Sequence, residues 1–246
     1  MGIASSLFLF YIPFYIVSAD SSILIDSTTY LYGNVKFIND KWNISSRTGI
    51  ITKDKVTAND SVSITKDSLI IHTNWGEYFW NNEIRLYNGF VACKTYETLT
   101  GDNARYFGDK IWVTGNIEYI NSKENWLVRG GEGFYDADTR FITITESPKF
   151  ESPQDSIEIV GDTLKLLGDT LTKVIHNAVI KLTNTQCFAD SLIYLPKSNK
   201  AILYGNPLIV AELDSLKGEQ VEILLSEKKI SQILVQGQVS GKRWKF

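Results

Sequence analysis

The stretch Leu31-Tyr32-Gly33-Asn34-Val35-Lys36-Phe37 shows the pattern that recurs along the chain: an apolar residue, a spacer, Gly-Asn, then apolar residues at alternating positions. The pattern returns at residues 113–119 (VTGNIEY) and 203–209 (LYGNPLI), weakly at 235–239 (VQGQV), and reversed at 87–91 (YNGFV). Apolar positions two residues apart share one face of a β-strand, and a Gly inside such a strand marks a bulge or a bend. The sequence therefore predicts one bent β-strand unit, repeated and rolled up into a sheet.

The composition also favours an all-β fold. The 246 residues include 12 Tyr, 12 Phe and 6 Trp, and Ile, Val and Thr are frequent; these residue types are enriched in strands. Turn-forming pairs such as Asn39-Asp40, Asn81-Asn82 and Asn121-Ser122 separate the alternating stretches. No linker rich in Pro, Gly or Ser divides the chain, so we expect a single domain over residues 20–246.

Residues 1–19 form a segment of a different character. An apolar run at residues 7–17 is followed by Ser18-Ala19-Asp20, and Val17 and Ala19 are suitable small residues for signal-peptidase cleavage after Ala19. The run is shorter than the ~20 residues that a membrane-spanning helix needs. We expect a signal peptide and export. Because no Lys or Arg precedes the run, an uncleaved N-terminal anchor stays an alternative.

The sequence offers little that predicts catalysis or metal binding. A net charge of −3 argues against a nucleic-acid binder. His72 and His176 have no neighbouring ligands at metal-binding spacing and no recognisable Ser partner. We expect no catalytic residue, metal or cofactor, although a glycosidase needs only two carboxylates in one cleft. In an exported chain Cys93 and Cys187 could form a disulfide, or a thiol could stay free and buried.

Taken together, these motifs resemble the OstA/LptA-like family of lipopolysaccharide-transport proteins. The resemblance runs from Tyr30 to Val239 and is most specific between Ala189 and Gly237, where Ala-Asp, Tyr, Gly-Asn-Pro and Ile-x-x-apolar-x-apolar-x-Gly follow one another. The tripeptide Asp190-Ser191-Leu192 and the similar tripeptides elsewhere in the chain resemble tripeptides found in the Bacteroidetes-type branch of this family.

This resemblance implies a folded-over, V-shaped antiparallel β-jelly roll with open ends. Family members bind the acyl chains of lipopolysaccharide between the two walls of the roll and stack end to end across the periplasm. For this chain it implies a periplasmic, non-enzymatic lipid-binding bridge, with lipopolysaccharide or a related lipid and the inner- and outer-membrane transport proteins of the same β-roll type as partners. The alternative is a structural, self-assembling β-roll envelope protein without a lipid cargo.

The expected lipid groove is the apolar strand face obtained when the repeats are aligned on their Gly. The opposite face is more polar, with Lys36, Thr114 and Glu118 as examples. We also expect head-to-tail self-association of the strand at 235–239 with the strand at 31–37, because a roll without a capping element leaves strand edges unpaired. The predicted groove residues are Leu31, Val35, Phe37, Val113, Ile117, Tyr119, Leu203, Ile209, Val235 and Val239.

Overall fold

The structure, a computed structural model, describes residue 14 and residues 16–168, 170–212, 214–226 and 229–242. Most of these residues lie in β-strands, and the strand pairings are antiparallel. The helical structure within these ranges is a single 3₁₀ turn, Pro196–Ser198, and no helix there is long and apolar enough to cross a membrane. The predicted all-β antiparallel fold class is confirmed. The predicted signal peptide or anchor at 1–19 lies mostly outside the described residues.

The strands, numbered in chain order, group into two compact units. Unit 1 comprises Met1–Thr95 and Asn103–Gly108, and unit 2 comprises Tyr96–Asp102 and Asp109–Phe246. The single domain expected over residues 20–246 stays a prediction. The strands of unit 1 are β1 (Ile16–Ser18), β2 (Ser21–Ile25), β3 (Thr28–Ile38), β4 (Asn43–Ile51), β5 (Lys55–Lys66), β6 (Leu69–Phe79), β7 (Glu83–Lys94) and β9 (Asn103–Phe107). The strands of unit 2 are β8 (Glu97–Gly101), β10 (Lys110–Asn121), β11 (Trp126–Asp136), β12 (Phe141–Thr145), β13 (Lys149–Ser152), β14 (Ile157–Val160), β15 (Thr163–Leu167), β16 (Leu171–Leu182), β17 (Thr185–Leu195), β18 (Lys200–Tyr204), β19 (Leu208–Ala211), β20 (Asp214–Lys217), β21 (Gln220–Ser226), β22 (Lys229–Gln236) and β23 (Ser240–Lys242).

Unit 1 is a meander in which β3 to β7 pair in sequence order and β9 pairs with β7. The other side of β3 is covered by β2 at residues 28–32 and by β1 at residues 36–38. With β1 present, β3 lies inside the sheet and offers no free edge at 31–37, which corrects one expectation for the unprocessed chain. Among the described residues β2 pairs with β3 alone, so β2 forms an edge of unit 1.

Unit 2 is folded over into two walls, because its longest strands bend and pair differently before and after the bend. Wall A contains residues 110–114 of β10, 132–136 of β11, 171–175 of β16 and 191–195 of β17, together with β12, β15, β18, β21 and β22. Wall B contains the other halves of β10, β11, β16 and β17, together with β8, β13, β14, β19, β20 and β23. Aromatic side chains meet between the walls: the ring centroids of Phe150 and Tyr194 are 6.3 Å apart.

The bends have a repeated local structure. At Gly115 and Asn116 the backbone enters the left-handed region, with φ of +75° and +47°, and the register against β11 shifts. The backbone N–H of Asp102 donates to the Gly115 carbonyl at 2.8 Å, and the Asn116 side-chain amide donates to the Asp102 carboxylate at 2.9 Å. A Cβ at Gly115 would overlap that carboxylate, so a Gly is needed both for the positive φ and for space. The predicted bent strand at Gly-Asn is confirmed.

Other bends reuse this arrangement with small changes. In unit 1 Asp20 lies against Gly33 and accepts a hydrogen bond from Asn34 at 2.9 Å. In unit 2 Asn177 donates to Asp162 at 2.9 Å, and the sequence places His176 rather than Gly before it. An acidic side chain at the break between two neighbouring strands thus stabilises the bent backbone repeatedly.

Candidate functional site

The predicted groove residues lie mostly on buried strand faces. Leu31, Val35 and Phe37 are buried in unit 1, and the other seven belong to unit 2. Val235 is half-buried, whereas Val239 follows the bend at Gly237, lies between strands and is 57% exposed. Val239 therefore does not share the buried face. The remaining unit 2 positions, all buried, are Val113, Ile117, Tyr119, Leu203 and Ile209.

The opposite strand face carries many charged side chains, as the alternation predicts, together with some exposed aromatic ones such as Trp112. In wall B, Arg129 pairs with Glu118 at 2.7 Å and with Glu151 at 2.6 Å. Farther along the same wall, Glu158 pairs with Lys149 and with Lys181, each at 2.7 Å. These cross-strand ion pairs form a ladder on the face that points away from wall A. The polarity of the two faces thus separates an apolar interior from a solvated exterior.

Aromatic rings form a continuous series inside unit 2. The ring centroids of Tyr119 and Trp126 are 5.5 Å apart, and those of Trp126 and Phe150 are 5.9 Å apart. Phe150 in wall B then contacts Tyr194 in wall A. Each neighbouring pair lies within the range at which offset or tilted aromatic rings attract each other. All four residues lie within two residues of a strand end, at the edge where the hairpin turns lie.

A cavity of about 510 Å³ lies at this edge, between turns of wall A and turns of wall B. Wall B contributes the β10–β11 and β13–β14 turns, and wall A contributes the β15–β16 and β17–β18 turns. The apolar part of the lining consists of Trp126, Phe150, Leu166, Tyr194 and Pro196. The cavity is therefore an opening between the walls, with aromatic side chains at its base.

Polar side chains surround this apolar base. Lys123 and Glu124 form an ion pair at 3.6 Å, and the Ser152 hydroxyl donates to the Asp155 carboxylate at 2.6 Å. Exposed Gln154, Lys197 and Asn199 complete the rim. The rim carries two ammonium groups and two carboxylates, so its formal charge balances. Glu124 and Asp155 both line this cavity.

Tyr194 supplies the most unusual group of the cavity. Its side chain is 1% exposed, and its hydroxyl has no hydrogen-bond partner among the described residues. Burial, followed by the nearby Asp155 charge, raises the pKa of this hydroxyl, so it is a neutral donor and acceptor at neutral pH. A buried hydroxyl without a partner is costly and calls for an explanation.

Sequence reasoning missed this cavity. Turn residues were identifiable at Asn121-Ser122, but nothing local indicates that four turns spread between Lys123 and Asn199 converge. The available signal was the placement of aromatic residues at strand ends, with Trp126 first in β11 and Tyr194 next to last in β17.

The histidines and cysteines lie apart from one another. His72 and His176 are exposed, and the described residues contain no cluster of three or more groups suited to a metal ion. Cys93 is exposed in unit 1 and Cys187 is buried in unit 2, and neither forms a disulfide. Burial raises the pKa of the Cys187 thiol to about 12, which keeps it protonated and unreactive at neutral pH.

Known proteins that match this chain are found among solved structures. No protein-family model matches the chain, and no curated protein matches it. Among solved structures, one similar chain is LptH from Pseudomonas aeruginosa, described as the LptA-homologous periplasmic component of the conserved lipopolysaccharide transport device. The match has 12% identity and a TM-score of 0.44, and it covers 50% of this chain and 97% of the LptH chain.

Proposed function

We propose that this protein is a periplasmic, non-enzymatic bridge that carries the acyl chains of lipopolysaccharide, or of a related lipid, between its folded-over walls towards the outer membrane. The observation that carries the proposal is the geometry of unit 2. Two walls with apolar inner faces and polar outer faces join at a line of bends, and their strand pairings run within each wall. The turn-lined edge can therefore open without breaking a strand pair, which gives an acyl chain access to apolar surface.

Site-specific photo-crosslinking tests this proposal. A photoreactive residue at Val113 or Ile117, both buried on the inner face, should label co-purified or added lipopolysaccharide. The same residue at Thr114 or Glu118, on the outer face, serves as a matched control and should give little label. Labelling from the outer positions alone would contradict the assigned groove.

The alternative, a self-assembling β-roll without a lipid cargo, also has an observation in its favour. Eight of the predicted groove positions are buried by the side chains of the chain itself, so the interior is apolar but filled. Organic extraction of the purified protein followed by mass spectrometry separates the two functions. Stoichiometric acyl-chain lipid supports the bridge, and lipid-free protein that assembles normally supports the structural role.

Self-association through strand edges forms part of the proposed function. In unit 1, β2 exposes Ile23, Leu24 and Ile25, each at more than half of its surface. In unit 2, β22 pairs with β21 alone among the described residues, and its Leu234 is 45% exposed. Exposed apolar edges favour pairing with another chain, and a contact between different edges gives open chains rather than a closed dimer.

A charge placed on the β2 edge tests this association. Leu24→Lys should prevent concentration-dependent growth in light scattering, since a charged edge strand resists pairing. Ile70→Lys is the matched control, because Ile70 is also exposed, at 42%, but lies within the sheet of unit 1. Equal effects of the two substitutions, or a wild-type chain that stays monomeric at all concentrations, would contradict the edge contact.

The proposed bridge would act in the periplasm, with cleavage after Ala19 releasing the exported chain. Its partners would be inner- and outer-membrane transport proteins of the same β-roll type. N-terminal sequencing of protein recovered from the periplasmic fraction checks the cleavage site. Recovery of the intact chain with the membranes would favour the anchored alternative.

A further inference from the structure

We propose that the turn-lined cavity of unit 2 is a saccharide-binding subsite. The sugar could be the glycan part of a glycolipid whose acyl chains enter between the walls. For that source the inference rests on the proposed function. Its chemistry, however, follows from the cavity itself and applies equally to a free oligosaccharide.

The size and construction of the cavity suit a small ligand. Its volume of about 510 Å³ falls within the roughly 300–1,000 Å³ of typical ligand sites. Trp126, Phe150 and Tyr194 line the base, but each is less than a tenth exposed, so they offer a sugar a small apolar contact rather than an open stacking face. Both walls contribute to this base, so a bound sugar would contact wall A and wall B together.

The balance of charge at the rim favours an uncharged ligand that can both donate and accept hydrogen bonds. The ammonium groups of Lys123 and Lys197 face the same cavity as the carboxylates of Glu124 and Asp155. A phosphate group would meet the two carboxylates, and a cation would meet the two ammonium groups. Sugar hydroxyls donate and accept hydrogen bonds, so they suit both kinds of group without adding charge.

The buried hydroxyl of Tyr194 gives the cavity an unfilled hydrogen-bonding position. The hydroxyl lacks a partner in the described part of the chain, and Gln154 adds an exposed amide at the rim. A site built to hydrogen-bond a ligand hydroxyl rejects ligands that lack it, because its buried polar group then stays unpaired. We therefore assign Tyr194 as the residue that hydrogen-bonds a sugar hydroxyl at the base of the cavity.

Titration of the full exported chain with free disaccharides tests the inference. The probes are N,N′-diacetylchitobiose and maltose, and their binding is measured by calorimetry and by saturation-transfer NMR. Tyr194→Phe removes the hydroxyl and retains the ring, and it should weaken binding about 5-fold or more, as expected for one hydrogen bond. Tyr78→Phe, at an equally buried tyrosine in unit 1, should leave binding unchanged. Gln154→Ala, at an exposed turn, provides a second variant that does not depend on core packing.

The outcomes separate this subsite from the proposed lipid function. Saturable binding of either disaccharide that Tyr194→Phe weakens, and that inorganic phosphate does not compete with, supports the subsite. Absence of saturable binding at millimolar concentration, displacement by phosphate, or unchanged affinity in both cavity variants would overturn it. If lipopolysaccharide crosslinks at Ile117 while neither disaccharide binds, the subsite fails and the bridge stands. If a disaccharide binds while no lipid crosslinks, the bridge fails and the subsite stands.

Discussion

The side-chain amide of Asn34 donates a 2.9 Å hydrogen bond to the carboxylate of Asp20, the same contact that Asn116 makes with Asp102 in unit 2. In both cases the acidic residue precedes the amide by 14 residues and lies against the Gly that starts the bend. The recurrence shows that the Gly-Asn phrase acts together with an acidic residue at the break between two neighbouring strands.

The contact between Gly115 and Asp102 predicts a large cost for Gly115→Ala. Positive φ alone should cost about 1–2 kcal/mol, and overlap of the new methyl group with the Asp102 carboxylate should add about 1–3 kcal/mol. The control is Gly168→Ala in the same unit, because Gly168 also has positive φ but leaves ordinary contact distances for a Cβ. Urea unfolding measures both free energies, and equal losses would contradict the role of the carboxylate.

Two equally buried tyrosines should respond in opposite directions to replacement by Phe. The Tyr78 hydroxyl accepts from Asn39 at 3.1 Å and donates to Asn82 at 2.7 Å, so Tyr78→Phe should lower the unfolding free energy by about 1–3 kcal/mol. Tyr194→Phe removes an unpartnered hydroxyl and should raise the unfolding free energy by up to about 1–2 kcal/mol. Thermal unfolding without added sugar checks both variants. A destabilised Tyr194→Phe would indicate a partner that the hydroxyl has in solution.

The ion-paired Glu83 predicts a dependence of stability on pH. Hydrogen bonds from Arg105 and Arg85, at 2.9 and 2.7 Å, hold the pKa of this buried carboxyl below its ordinary value of 4.5. A lowered folded-state pKa stabilises the protein at pH above the ordinary value, and that contribution disappears as the pH falls through the folded-state pKa. The stability difference between wild type and Glu83→Gln should therefore be largest near neutral pH and vanish in acid.

The control for Glu83 is an exposed ion pair. Arg47 and Asp60 lie 3.3 Å apart, with more than half of each side chain exposed, and such pairs contribute little. Asp60→Asn should leave the pH profile of unfolding unchanged. A profile of Glu83→Gln that runs parallel to wild type at all pH values would contradict the assignment.

Phe14 predicts a measurable effect of N-terminal processing. Its ring is 6% exposed, with its centroid 4.8 Å from Tyr78 and 5.7 Å from Phe37. In the unprocessed chain Phe14→Ala should lower stability by about 3 kcal/mol, whereas Val17→Ala, at a residue 38% exposed, should have little effect. A chain that begins at Asp20 should be at least as unstable as the Phe14→Ala variant, because it lacks β1 as well as the ring. Equal stability of the processed and unprocessed chains would show that Phe14 does not pack there in solution.

Much of the fold follows from the sequence because its signals are local. Alternation with a period of two identifies the strands and the buried face of Val113 and Ile117, since successive side chains of a strand point to opposite faces. The Gly115-Asn116 pair marks a bend because only a few residue types tolerate positive φ. These local signals determined the all-β class, the bends and most of the inner face.

The tertiary structure alone decided the features that depend on pairing between distant segments. The sequence does not specify that Asp102 packs against Gly115, or that β2 rather than β3 forms the edge, because both depend on strand register. Val239 fits the alternation but lies exposed beyond the bend, where none of the described strands covers it. The cavity needs the turns near Lys123, Gln154 and Lys197 to converge, and only the folding of wall A onto wall B brings them together. Local backbone preferences act over a few residues, whereas a site between walls is defined by contacts between residues far apart in the chain.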